Sequence, residues 1–246
     1  MLEALSLPRI ADLGTIALFL DFDGTIVEIA ERPHQVHVAP ATLELLGRLA
    51  RRLDGALAIV SGRPIADIDR LFAPLVLPVA GVHGLMRRDA AGRLRGGDLD
   101  DAALAPVKTA LELALPDLLI EEKPGALAVH YRSHPERADL CLEAVSRVIA
   151  GRGDLELVQG KMVLEIKLEG ASKGTAIAAF MHEPPFLGRL PVFAGDDVTD
   201  ENGFAVVETM GGHAIKVGNG STRARWRTES AAELIEWLGA LADAAE

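Results

Sequence analysis

Asp21 and Asp23 stand two residues apart behind five apolar residues, Ile16-Ala17-Leu18-Phe19-Leu20. A run that is apolar at every position reads as a strand buried on both faces, as central parallel strands are. Acids pushed out of its carboxyl end are costly to desolvate unless something binds them. A divalent cation with oxygen ligands is the usual solution. A strand followed by an Asp-Gly turn would account for Asp23-Gly24 but gives Asp21 no reason to be there. Two further apolar runs stop in the same manner. Ala56 to Val60 stops at Ser61-Gly62-Arg63-Pro64, and Leu190 to Ala194 stops at Gly195-Asp196-Asp197-Val198-Thr199-Asp200-Glu201. In an open parallel sheet, ligands bind outside the carboxyl ends of the strands, so Asp21, Ser61 and Asp196 are expected to meet in space. Lys173 opens a helix, where a cation gains nothing from the helix dipole, so it is expected to serve an anion. Such a set can hold a divalent cation against a phosphoryl group.

The elements that must position these residues alternate. Pro40 suits a first helical turn, and Leu43, Leu46, Leu49 and Leu53 follow at helical spacing up to Asp54-Gly55. A second helix is expected after Pro64, through Ile65, Ile68, Leu71 and Phe72, and a short third strand over Leu77 to Ala80. This β-α-β-α-β order predicts a parallel sheet covered by helices. The character changes after Gly84. Leu85 to Arg95 reads as a hairpin around Ala91-Gly92, and Leu104 to Leu115 as a helix. Leu118 to Lys123 and Ala126 to Arg132 read as strands. Ser133 and Glu136 have capping-box spacing ahead of a helix through Leu140, Val145 and Ile149. Glu156 to Gln159 and Met162 to Lys167 read as two more strands. Met162, Leu164 and Ile166 are expected in a core, with Lys161, Val163 and Glu165 on the opposite face. Parallel character then returns. Ser172 can cap a helix from Lys173 to Met181, a helix carries Phe204, Val206 and Val207, and His213 to Val217 forms a last strand before a closing helix over Ala231 to Leu241.

Composition narrows the function. The chain has 246 residues, 49% of them hydrophobic, and a net charge of −11 with no Lys/Arg-rich block. Nucleic acid and acidic membrane surfaces are poor partners for such a chain. The single cysteine, Cys141, rules out an internal disulfide framework and points to a reducing compartment. No apolar stretch approaches the roughly 20 residues of a membrane helix, and Met1-Leu2-Glu3-Ala4 lacks a signal-like start. A soluble, cytoplasmic protein is expected.

The order Asp21-Phe22-Asp23-Gly24-Thr25, Ser61, Lys173, Gly195-Asp196-Asp197 resembles the haloacid dehalogenase superfamily of phosphotransferases. A closer resemblance spans nearly the whole chain. Ser61-Gly62-Arg63, His83-Gly84, Glu121 with Lys123, His130-Tyr131-Arg132, Gly160-Lys161 to Glu165-Ile166-Lys167, and Gly195 to Glu201 are similar to the trehalose-6-phosphate phosphatases. Two departures are Pro124, between Lys123 and Gly125, and Leu168, where proline usually follows the Glu-Ile-Lys run.

The resemblance implies an α/β fold: a Rossmann-like core over residues 1–84 and 167–246, and an inserted α+β cap over 85–166 that closes on the substrate. It implies Asp21 as nucleophile, Asp23 as general acid and base, and Mg2+ held by Asp21, the carbonyl of Asp23, and Asp196. Asp197 or Asp200 would hold the metal's waters. Lys173, Ser61 and Thr25 would hold the phosphoryl oxygens, and Arg63 would contact sugar or phosphate. Glu121, Lys123, Arg132, Lys161 and Glu165 would read the sugar. The substrate implied is trehalose 6-phosphate, with a trehalose-phosphate synthase as a candidate partner and a monomer as the expected state. The same chemistry on sucrose phosphate, mannosylglycerate phosphate or a phosphomannose is the alternative. A non-catalytic carbohydrate- or cation-binding module is the reading from another class, and the presence of both Asp21 and Asp23 argues against it.

Overall fold

The computed structural model describes residues 7–28, 36–95, 101–123, 125–160, 162–168 and 170–244. Ile16–Leu20 forms β1, and all five residues are buried, as the apolar run requires. Pro40–Arg52 is α1, with Pro40 at its first turn and Leu45, Leu46 and Leu49 buried. Leu57–Val60 is β2, Ile65–Phe72 α2 and Val79–Gly81 β3. Met86–Arg88 and Leu94–Arg95 are β4 and β5.

The inserted segment contains α3 (Asp101–Ala114), β6 (Leu119–Lys123), β7 (Ala126–His130), α4 (Ala138–Val148), β8 (Leu155–Gly160) and β9 (Val163–Leu168). The chain then returns through α5 (Lys173–Met181), β10 (Leu190–Gly195), α6 (Glu201–Thr209), β11 (His213–Val217), β12 (Trp226–Thr228) and α7 (Ala231–Asp243).

The chain divides into two compact units, Met1–Arg95 with Ser172–Glu246, and Gly96–Ala171. The first is built on an eight-stranded sheet ordered β12-β11-β10-β1-β2-β3-β4-β5. β1 lies between β10 and β2, parallel to both, with Phe19 opposite Phe193 and Leu18 opposite Leu57. Phe19, Phe180 and Phe186 pack ring on ring at 5.0–5.9 Å beside it. The second unit is an antiparallel sheet ordered β6-β7-β9-β8, and α3 and α4 pack against one of its faces through Leu111, Val145, Leu127 and Ile166.

The hairpin around Ala91-Gly92 forms, but it belongs to the first unit. β4 pairs antiparallel with β3, so the structure divides at Arg95 and Ala171, away from the expected 84 and 166. Arg88 fixes the hairpin with two 2.7 Å bonds to Asp69. The Ser133–Glu136 capping box does not form. Tight turns and a 3-10 segment at Pro135–Arg137 intervene, and α4 starts at Ala138 with no side-chain cap. Met162 is not in a core: it sits in the β8–β9 turn with φ +64° and is 38% exposed. β12 is a three-residue edge strand with no alternation to reveal it in the sequence. Among the described residues, no helix is long and apolar enough to cross a membrane.

Candidate active site

β1 hands its ladder on by one residue: the Asp21 amide donates to the Ala194 carbonyl at 3.0 Å, which carries Asp21 to the carboxyl edge of the sheet. The loop then closes on itself, with the amides of Thr25, Ile26 and Val27 all donating to the Phe22 carbonyl. That fold-back turns the Thr25 hydroxyl to the Asp21 carboxylate, 3.3 Å from Oδ2 and equally 3.3 Å from Asp196 Oδ1. Gly24 has φ +80°, and a Cβ there would lie 2.2 Å from Asp196 Oδ2. Only glycine fits the turn and leaves room for the acid.

From the other side, Ser172 caps α5 by accepting from the Thr175 amide, which sets Lys173 at the first helical position. The Lys173 ammonium donates to Asp21 Oδ1 and to Asp200 Oδ1, each at 2.7 Å. Asp200 is fully buried, and its second oxygen accepts from the Asp197 amide at 2.9 Å. Carboxylate oxygens of Asp21, Asp196 and Asp200 lie within 4.8 Å of one another. Lys216, buried on β11, donates its ammonium to the Asp196 backbone carbonyl.

Burial and crowding act on the charges of this cluster. Burial pulls the Lys173 ammonium down, but the charges of Asp21 and Asp200 outweigh it and hold its pKa above the ordinary value. Burial and then the charge of Asp21 push Asp196 up to about 7. Burial, then Asp21, push Asp200 up to about 7 as well, against the pull of Lys173. A divalent cation would relieve what burial and mutual repulsion impose, and its preferred donors are oxygens of this kind. The cluster and the space that Gly24 leaves beside Asp196 fit such an ion.

The remaining expected residues fall into three groups. Ser61 is buried at the end of β2, and its Oγ accepts from the Arg63 amide at 3.1 Å. Arg63, expected to meet sugar or phosphate, holds Asp23 with its guanidinium, Nε to Oδ2 and Nη2 to Oδ1, both at 2.6 Å. The hydrogen bond to Asp23 raises the Arg63 pKa. Asp197 is exposed, and its carboxylate accepts from the Val198 amide as a local cap, so of the two supporting acids only Asp200 joins the cluster. In the second unit, Glu121 and Glu165 both stand opposite Ala128, on β6 and β9, and so share one face of the sheet. Glu121 is bonded to His130 at 2.8 Å. Arg132 is exposed in the turn after β7. Lys123 ends β6, but its side chain lies outside the described residues, as does Lys161 entirely.

Lys216 and the backbone turn at Val82-His83 are not foreseen from the sequence. The sequence signal for Lys216 is a lone charge in an apolar strand. His83 has φ +54° after Val82 at +51°, a costly backbone for a β-branched residue. The His83 amide donates to the Ser61 carbonyl at 3.0 Å, and its ring lies where a Gly62 Cβ would come within 2.6 Å. The strained turn thus braces the Ser61–Arg63 loop.

Comparison with known proteins agrees with this geometry. The trehalose-phosphatase family model matches residues 19–234. The trehalose-6-phosphate phosphatase of Escherichia coli is 44% identical over 225 residues, covering 90% of this chain and 85% of that protein. The crystal structure of a trehalose-6-phosphate phosphatase related protein superposes with a TM-score of 0.69 at 26% identity, covering 92% of this chain and 96% of that one. A haloacid dehalogenase-like hydrolase from Bacillus subtilis shares the fold at a TM-score of 0.62 and 17% identity, covering 92% of this chain and 99% of that one.

Proposed function

We propose, because the chain belongs to the trehalose-phosphatase family, that its substrate is trehalose 6-phosphate and that it works with Mg2+. The chain is a phosphoric monoester hydrolase built on a haloacid dehalogenase core. One observation carries the reading: the Asp21 carboxylate, buried at the end of the central strand, is held between Lys173 and Thr25 beside Asp196 and Asp200.

An oxygen of the ionised Asp21 carboxylate bonds to phosphorus as the bond from phosphorus to the sugar oxygen breaks. Asp23 gives that departing oxygen a proton, so trehalose leaves as a neutral alcohol. Asp23 then takes a proton from water as the water oxygen attacks the same phosphorus. The bond to Asp21 breaks, the carboxylate is restored and phosphate leaves. Lys173, the Ser61 hydroxyl and Thr25 hold the phosphoryl oxygens, whose charge is spread in the transition state. Asp21, the Asp23 carbonyl and Asp196 would hold Mg2+, which when bound offsets phosphoryl charge. Of the two acids expected around its waters, Asp200 is the better supported, since it is buried in the cluster and Asp197 is exposed.

Glu121, Lys123, Arg132, Lys161 and Glu165 read the sugar. Trehalose offers uncharged hydroxyls that both donate and accept, and charged side chains can bind either role. The shared face of Glu121 and Glu165 supports this assignment. A trehalose-phosphate synthase as partner, a monomeric state and a cytoplasmic location belong to the same proposal.

The test is phosphate release from a panel of sugar phosphates, with and without Mg2+. Trehalose 6-phosphate should be hydrolysed with the highest kcat/KM, and only with the cation. A higher value for sucrose phosphate or mannosylglycerate phosphate would overturn the substrate. No release from any of them would favour a binding module.

A further inference from the structure

We infer that Lys216 positions Asp196 for the cation by clamping the peptide that joins Asp196 to Asp197, an inference that rests on the phosphatase reading above. Lys216 stands opposite Gly195 in the parallel pairing of β11 with β10, one residue short of the acid. The strand is buried from Ala214 to Val217, and Lys216 itself is 5% exposed. Among the described residues no carboxylate lies within ion-pair distance of its ammonium, whose one hydrogen bond goes to the Asp196 backbone carbonyl. A buried charge without an ion partner is costly, and an apolar side chain would fill this strand position at less cost. Packing therefore does not account for the lysine, and the bond it makes does.

That bond holds one end of a peptide unit whose other end is held as well. The Asp196 carbonyl and the Asp197 amide belong to the same planar unit. The amide donates to Asp200 Oδ2 at 2.9 Å. With a cation on its carbonyl and an acid on its amide, the plane cannot turn without losing both bonds, and each bond polarises the other. The plane fixes a backbone torsion of Asp196, on which the directions open to the Asp196 carboxylate depend. The turn has little slack: a Cβ on Gly195 would come within 2.3 Å of Asp200 Cγ. Asp200 in turn accepts from Lys173, which donates to Asp21, each at 2.7 Å. One run of hydrogen bonds thus leads from β11 through the Asp196–Asp197 peptide and Asp200 to the nucleophile.

Two roles for the lysine predict opposite signs. Acting only as a charge, Lys216 repels the cation, and its removal tightens Mg2+. Acting as a clamp, its removal frees the peptide and weakens Mg2+. The cation is titrated by calorimetry, without substrate, into the wild type and Lys216→Met, which keeps an unbranched side chain and removes both charge and donor. Affinity is expected to fall about ten- to a hundredfold in the variant. The Mg2+ concentration for half-maximal phosphate release should rise by the same factor, with KM for trehalose 6-phosphate in saturating Mg2+ near the wild-type value. Equal or tighter Mg2+ binding by Lys216→Met would overturn the clamp and leave the phosphatase reading intact. A KM that rises in step with the Mg2+ requirement would make Lys216 a general support of the fold and overturn the clamp as well. A wild type that takes up no Mg2+ would overturn the phosphatase reading and the clamp with it. Should Lys216→Met fail to fold, Lys216→Ile, apolar and β-branched like Ile215 and Val217, gives the same comparison with the same outcomes.

Discussion

Lys173 and Asp21 form a buried ion pair: Nζ stands 2.7 Å from Oδ1, with 3% and 5% of the two side chains exposed. The same ammonium reaches Asp200 at 2.7 Å. Removing one partner of a buried pair strands the other charge and costs about 3–5 kcal/mol. Lys173→Met should therefore lower the stability of the metal-free protein by an amount of that order in denaturant unfolding. Mg2+ should restore part of it. A variant as stable as the wild type without metal would show that Asp21 and Asp200 are neutralised by another group.

Asp196 and Asp200 give the metal-free protein a pH dependence of stability. Burial first, and the charge of Asp21 second, raise both to about 7 from 3.8. Between those values the folded chain binds more protons than the unfolded chain. The contribution of these two groups is therefore full below about pH 4 and is lost as pH rises through about 7. Mg2+ replaces the missing protons, so its stabilising effect should be larger at pH 8 than at pH 5. Melting temperatures at the two pH values, with and without Mg2+, check this. An equal shift at both pH values would count against the cluster as the binding site.

Gly24 is held to glycine by its neighbour rather than by the turn alone. A methyl group would come within 2.2 Å of Asp196 Oδ2, on a backbone with φ +80°. Gly24→Ala should weaken Mg2+ by more than about tenfold, because Asp196 or the loop must shift. Direct titration of the cation reads this out independently of turnover, and unchanged affinity would remove Asp196 from the site.

The two units should be separable in their effects on substrate choice. Glu121 and Glu165 share a face of the second unit's sheet, while Leu164 and Ile166 on the same strand as Glu165 are buried. Glu165→Ala should lower kcat/KM for trehalose 6-phosphate about ten- to a hundredfold, the worth of a charged hydrogen bond to a sugar hydroxyl. Hydrolysis of a small aryl phosphate and the melting temperature should stay near wild type. If both activities fall with the melting temperature, Glu165 is structural.

What was legible in the sequence was legible through burial. Five apolar residues ending in Asp21 announced a central strand with an acidic edge, and Ser172 announced the start of α5 and hence the place of Lys173. What stayed hidden depends on contacts between segments far apart in the chain. The hairpin at 86–95 looks the same whether it pairs with β3 or with another sheet, and its pairing with β3 decides the unit boundary. Ser133 and Glu136 have the spacing of a cap, but the turns after Tyr131 delay the helix past them. Arg63 stood where a substrate contact was expected, and nothing in its neighbours announced that Asp23, 40 positions away, would hold it. Lys216 carried a signal, a lone charge in an apolar strand, whose partner is the backbone of Asp196.

The central claim is that Asp21 takes the phosphoryl group. Phosphate release from trehalose 6-phosphate in saturating Mg2+ should be measured for wild type and Asp21→Asn, with folding checked by circular dichroism. The substitution keeps the shape and removes the nucleophile's charge, so turnover should fall by several orders of magnitude, on the order of what loss of a covalent nucleophile costs. Near-normal release by a folded Asp21→Asn protein would contradict the account.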